Sequence, residues 1–168
     1  MVIPSSSAEP ILRQATAEDF ERIKPLWQAL YQHQVEHGMQ VQLPEGAYSA
    51  WLTSMEPFLA RFANVWVGEV NGAIVAFVAG RIRLMPPYFG SATIGAISEV
   101  FVSETHRGRG IGHRLLDYAL DWFRDQNITR IELQVVAGNP DASRFYQQLG
   151  WHEELRQMVW DTTREAGK

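Results

Sequence analysis

The spacing of apolar positions changes several times along the chain, and each change marks an element. Ile11 to Gln14 reads as a short strand, and Thr16-Ala17-Glu18-Asp19 then spells a capping box, with Thr16 as N-cap and an acid three residues on. Phe20, Ile23, Trp27 and Leu30 or Tyr31 recur at helical spacing; Pro25 predicts a kink or break, and Gln32 to Pro44 loses the period and reads as a loop. Tyr48, Trp51, Leu52, Met55, Leu59 and Phe62 form a second helical stripe, with a break expected at Pro57. Two β-rich runs, Val65 to Val70 and Ala73 to Leu84, flank Asn71-Gly72, the signature of a two-residue hairpin turn. Adjacent prolines make Met85 to Gly90 a loop.

In the strand predicted from Ala92 to Val102, simple alternation puts Ile97, Glu99 and Phe101 on one face and Ser98, Val100 and Val102 on the other. Ile111, Leu115, Leu116, Ala119, Leu120 and Phe123 give a helix from about Gly110 to Gln126 a broad apolar face, opposite Arg114, Asp117, Asp121 and Arg124. Arg130 to Val136 reads as a strand. Asn139-Pro140-Asp141 starts a short helix that Gly150 closes, and Gln157 to Asp161 reads as a last strand. Alternating strands and helices after an antiparallel hairpin predict an α/β (α+β) chain with a mixed sheet.

At 168 residues the chain fits one domain, expected over 10–162 between a loose tail at 1–9 and a frayed tail at 163–168. A net charge of -4 argues against a general nucleic-acid binder and tolerates a cationic substrate. The absence of cysteine removes disulfides, thiolate metal sites and a cysteine nucleophile. Met1 to Pro10 lacks the character of a signal peptide and no apolar run reaches spanning length, so a cytoplasmic protein without a membrane partner is expected.

Candidate chemistry centres on Arg107-Gly108-Arg109-Gly110-Ile111-Gly112, where a strand gives way to a helix. A helix N-terminus carries free N–H groups and a positive dipole end, and arginines add charge, so the turn suits a pyrophosphate. The dinucleotide fingerprint G-x-G-x-x-G fails because His113 stands where its third glycine belongs, and no P-loop string exists. The order Arg107-x-x-Gly110-x-Gly112 resembles the acyl-CoA pyrophosphate loop of the GNAT superfamily of N-acetyltransferases; the plain alternative is an Arg/Gly turn that merely starts a helix. Asn139-x-x-Ala142-x-x-Phe145-Tyr146-x-x-Leu149-Gly150-Trp151 resembles the second signature of that superfamily, in the right order and at a suitable distance. The resemblance covers about Val65 to Asp161.

The resemblance implies a mixed, mostly antiparallel sheet, splayed between strands 4 and 5 and flanked by about four helices, with acetyl-CoA in the gap. It implies that Val100, Phe101 and Val102 meet the pantetheine arm. Arg107, Gly108, Arg109, Gly110, Ile111, Gly112 and His113 hold the pyrophosphate, and Asn139 and Tyr146 lie beside the pantetheine and thioester. The expected reaction moves an acetyl group to a primary amine of a small molecule or peptide by direct transfer, with Tyr146 as acid toward the leaving thiolate; packing alone is the alternative for Tyr146. Glu99, in an otherwise apolar strand, is the candidate base, or else an exposed residue paired with Arg81 or Arg83.

Tyr31, Tyr88 and Phe89 are candidates for the acceptor pocket, with Trp27 more at home in the core. His33 and His37 lie four apart but do not spell H-E-x-x-H and lack a third ligand, so no metal is expected; they are exposed or line the acceptor pocket. A non-catalytic acyl-CoA-binding module, or a transferase of another acyl group, remains open, and the resemblance allows a homodimer. The acceptor depends on the loops Gln32 to Pro44 and Met85 to Ser91.

Overall fold

The computed structural model describes residues 8–162. The tails expected at 1–9 and 163–168 lie outside the described residues, apart from Ala8 and Glu9. Five strands, β1 (Ile11–Gln14), β2 (Ala63–Val70), β3 (Ala73–Leu84), β4 (Thr93–Val102) and β5 (Ile131–Leu133), form one sheet in that order. The first three pairings are antiparallel and β4 pairs with β5 in parallel. Four helices flank it: α1 (Phe20–Glu36), α2 (Ala47–Met55), α3 (Ile111–Asp125) and α4 (Pro140–Gln148). The mixed, mostly antiparallel sheet is therefore as expected.

Each face of the sheet carries its own core. On one, Phe20, Ile23 and Trp27 of α1 and Trp51 and Met55 of α2 bury Val65, Val67, Phe77 and Ala79. On the other, Leu115, Leu116 and Phe123 of α3 cover Trp66, Ala76, Val78 and Ile97. Gly95 is small because Phe123 lies on it: a β-carbon there would stand 2.8 Å from the ring. Asn71 (φ 50°) and Gly72 (φ 78°) make the tight hairpin turn predicted between β2 and β3.

Several boundaries differ from the sequence reading. α1 runs unbroken through Pro25 to Glu36, taking in the first part of the expected loop. Proline removes one backbone bond and costs about 3 kcal/mol, whereas each large apolar side chain buried gains about 1.5–3 kcal/mol; Phe20, Ile23, Trp27 and Leu30 are all buried along this helix. α2 ends at Met55, before Pro57, and Leu59 and Phe62 lie beyond it. β5 is three residues long, not seven. Gln157 to Asp161 forms no strand: Met158, Val159 and Trp160 are 73–89% exposed, with no apolar surface against them, and the short β5 offers little edge for pairing.

The face assignment in β4 also changes. Ala79 pairs with Glu99 and the adjacent Gly80 with Ile97, so Ser98 is an extra residue in β4. This β-bulge reverses the alternation. Ile97 joins Val100 and Val102 on the α3 face, while Phe101 packs in the α1 core. Glu99 is turned toward α1 for the same reason.

Candidate active site

β5 pairs with β4 only at Gly95, Ala96 and Ile97, whereas β3 follows β4 to Val102. From Ser98 onward one edge of β4 has no strand beside it among the described residues. Its peptide groups are free to bond a ligand that carries amides. Val100, Phe101 and Val102 line this edge and are half-buried. Val100 and Val102 share an apolar cluster with Phe145 and Tyr146 of α4, which stands beyond the gap.

The edge leads into the glycine loop. Gly108 and Gly110 both have φ of 74°, a conformation that side chains resist, and Gly110 is the N-cap of α3. Gly112 is needed for a different reason: a β-carbon there would lie 3.2 Å from Val102 Cγ2, so the first turn of α3 could not sit as close to β4. The first helical bond runs from Arg114 N–H to Gly110 O at 3.0 Å, which leaves the amides of Ile111, Gly112 and His113 without helical acceptors. No acid occupies that turn. Exposed Arg109 and His113 add basic groups, although His113 also faces Asp117 at 3.6 Å. This end suits a pyrophosphate. The Arg107 side chain folds back instead: Nε donates to Val102 O at 3.0 Å and the guanidinium lies 5.7 Å over the Phe101 ring.

α4 is fixed at both ends. The Asn139 carboxamide oxygen accepts from Ala142 N–H at 3.0 Å, so this atom caps the helix. Gly150, at φ 90°, donates to Gln147 O while Trp151 donates to Tyr146 O, closing the C-terminus. Tyr146 is thereby held against Phe145 and Trp151, with ring centroids at 5.1 and 6.1 Å. Its hydroxyl has no hydrogen-bond partner among the described residues, and burial raises its pKa, keeping it protonated.

Glu99 is 3% exposed. Burial raises its pKa above the usual carboxylate range, against the opposing effects of Ser98, Tyr31, Arg81 and Trp51. Tyr31 of α1 donates to Glu99 Oε1 at 3.1 Å, and the Ser98 hydroxyl donates to Oε2. The Trp51 indole N–H favours the carboxylate from nearby but completes no hydrogen bond of good geometry. Among the described residues Glu99 forms no ion pair within 4.0 Å. Arg83 is engaged with Glu132 at 3.0 Å, and Arg81 donates to Met55 Sδ at 2.9 Å.

Tyr31 and Glu99, both picked out from sequence, thus come together. Tyr88 and Phe89 do not join them: they sit 82% and 61% exposed at the β3–β4 tip. The seven residues of β4 from Thr93 to Glu99 span about 20 Å. His33 and His37 lie against each other, with centroids 4.1 Å apart and the rings tilted by 52°, at the end of α1, and no group of three metal-ligating side chains exists among the described residues. A hollow of about 360 Å³ lined by Phe20, Leu52 and Asn64 lies elsewhere, and includes none of these residues. Sequence reasoning missed two contributors. Ser98 was hidden because a bulge leaves no mark in an alternating pattern, and Gly138, which meets the end of α1, looked like any loop glycine.

Residues 20–151 match the model of the acetyltransferase (GNAT) family. An uncharacterised N-acetyltransferase of Archaeoglobus fulgidus is 29% identical over 135 residues, covering 80% of this chain and 88% of that protein. One of Methanocaldococcus jannaschii is 34% identical over 95 residues; the match covers 56% of this chain but only 42% of that relative. An aminoglycoside N-acetyltransferase in complex with CoA superposes with a TM-score of 0.74 at 18% identity, over 97% of this chain and all of that one, which shows the shared fold. With the family model spanning both the glycine loop and α4, the chain belongs to the GNAT acetyltransferase family.

Proposed function

We propose that this protein transfers an acetyl group from acetyl-CoA to a primary amine of a small molecule or peptide, directly and in a ternary complex. The observation that carries this reading is the unpaired β4 edge, which begins beside Glu99 and ends in the glycine loop at the start of α3. In this reading the backbone of Val100 to Val102 pairs with the pantetheine amides. Arg109, His113 and the free amides of α3 hold the pyrophosphate, and Asn139 and Tyr146 flank the thioester. Arg107, Gly108 and Gly110 shape the loop, while Gly112 seats it against β4 and Ile111 packs over Gly68 of β2.

A primary alkylamine has a pKa of about 10.4 and arrives mostly protonated, so it must lose a proton before its nitrogen can attack. The ammonium proton goes to solvent as the amine enters, and Glu99 is the base for the N–H proton released as the amide forms. The new N–C bond forms as the C–S bond breaks, and Tyr146 protonates the departing thiolate. The chain has no cysteine to carry an acyl intermediate, which favours direct transfer. Tyr88 and Phe89 stand so far from Glu99 that only an extended acceptor, such as a peptide, reaches both.

A CoA-release assay over aminoglycosides, simple alkylamines and peptides tests the reading. Release is expected with at least one class, falling about 100-fold in Tyr146→Phe. CoA binding without turnover on any amine would instead establish a non-catalytic acyl-CoA module.

A further inference from the structure

Glu99 poses a problem for the mechanism just described. Its carboxylate is almost wholly enclosed, at 3% exposure, between β4, β3, α1 and α2. A bulky amine cannot reach a group so covered. Ser98 bonds one of its oxygens and Tyr31 the other, with Arg81 and Trp51 acting from nearby. Ser98 is exposed but reaches Glu99 from its own strand, whereas half-buried Tyr31 joins Glu99 to the helix that borders the gap.

Tyr31 is well placed to be a fixed bridge. Its ring packs on Trp27 with centroids 4.4 Å apart, so the hydroxyl is aimed without help from Glu99. That hydroxyl donates its one proton inward to Glu99 Oε1 at 3.1 Å. An O–H that donates inward keeps its lone pairs free to accept from a second group. An amine N–H on the outer side fits that need.

We propose that Tyr31 is a catalytic residue of this site, whose hydroxyl accepts the proton of the attacking amine while passing its own proton to Glu99. The proposal rests on the acetyltransferase reading. The neutral amine forms the N–C bond and its N–H proton moves to the Tyr31 oxygen. The Tyr31 proton moves to Glu99, which becomes neutral, and the C–S bonding pair leaves with the thiolate, which takes a proton from Tyr146. Tyr31 ends the step unchanged. Glu99 later returns its proton to solvent and Tyr146 regains one. The charged groups facing this pair are few: Arg81 on β3 favours the carboxylate, and Tyr31 feels Glu99 and Arg81.

The test compares Tyr31→Phe, Glu99→Gln and the double variant with the intact chain, using CoA release with an accepted amine from pH 5 to 9. Each single variant should lose kcat about 10²–10⁴-fold, the usual worth of a positioned base. The double variant should be no worse than either, because groups that act as one unit do not add. Both single variants should lose the rise of kcat with pH that Glu99 gives the intact chain, while acetyl-CoA binding stays within about threefold. A purely structural Tyr31 would lower thermal stability and leave the pH profile in place.

Tyr31→Phe with kcat within threefold of the intact chain, or with the same pH profile, overturns the relay and leaves the acetyltransferase reading standing. No CoA release by the intact chain with any amine overturns both. Should Tyr31→Phe fail to fold, a proton inventory of the intact chain in mixed light and heavy water decides, using a slow acceptor so that chemistry limits. With the proton from Tyr146, the step moves three protons through the relay and two without it, so the dependence should need a cubic form; one that a quadratic or a line describes overturns it.

Discussion

The carbonyl oxygen of His37 lies 2.0 Å from the point a β-carbon on Gly138 would occupy. The end of α1 therefore touches the segment joining β5 to α4, on the far side of the gap from β4. Only the smallest residue allows this crossing, because the atom in the way belongs to the backbone and cannot swing aside.

Gly138→Ala must therefore push the end of α1 and the β5–α4 segment apart. Forced overpacking of this kind costs about 1–3 kcal/mol, equivalent to a fall in Tm of roughly 2–12 °C for a chain of this size. Differential scanning calorimetry measures it. The same displacement should weaken CoA binding, since Asn139 and Tyr146 follow directly in the chain. An unchanged Tm would mean that the two segments part freely.

Glu99 makes a second prediction, about stability. Burial raises its pKa above the unfolded value of about 4.3. The folded state thus favours the protonated form, so the group's stabilising contribution is complete below the unfolded pKa and is lost as pH rises through the raised folded one. Glu99→Gln removes this dependence. It should be more stable than the intact chain at pH 8, with the gap closing toward pH 4, even as activity is lost. Urea midpoints across that range provide the measurement, and an intact chain more stable than the variant at pH 8 would refute it.

These two sites mark the limit of what the sequence discloses. The hairpin at Asn71-Gly72, the capped start of α4 and the glycine loop are legible because each depends on residues adjacent in the chain. The core of the site depends on long-range geometry. Period-two counting cannot register the extra residue at Ser98, so it put Ile97 and Glu99 on one face. Pro25 argued locally against a helix that tertiary burial sustains, and that same helix carries Tyr31 to Glu99. The apolar residues near Trp160 showed the converse: strand-forming composition without a partner makes no strand.

A third prediction concerns the opposite end of α1. Asp19 is 2% exposed and accepts from Arg13 at 2.6 and 2.9 Å, Arg22 at 2.9 Å and the Thr16 amide at 2.8 Å, joining β1 to the start of α1. The Arg13 guanidinium foremost holds its carboxyl well below the usual carboxylate range. The resulting stability is present above the unfolded pKa of about 3.9 and is lost progressively as pH falls from there through the lowered folded value. Breaking a buried pair costs 3–5 kcal/mol, but both arginines are a third or more exposed, which reduces the expected loss in Asp19→Asn to about 2 kcal/mol. Urea unfolding should show that difference in full at pH 7 and a reduced one at pH 3 that goes on shrinking as the pH is lowered further.

The two arginines of the glycine loop should part company under mutation. Arg107 is tied to the Val102 carbonyl and the Phe101 ring, whereas Arg109 is exposed and has no ion pair among the described residues. Arg109→Ala should then act on the ligand alone. Losing a hydrogen bond to a charged phosphate costs about 1.5–3 kcal/mol, roughly 10–150-fold in Kd. The loss should shrink in high salt. Arg107→Ala should lower Tm with or without ligand, because it frees the end of β4 that the loop hangs from. Calorimetric titration with CoA and with pantetheine, which lacks the pyrophosphate, separates the two. Arg109→Ala should weaken CoA and leave pantetheine untouched, while Arg107→Ala should weaken both, since both need the β4 edge in place. Equal losses for pantetheine in the two variants would mean that Arg109, too, supports the loop and does not meet the phosphates.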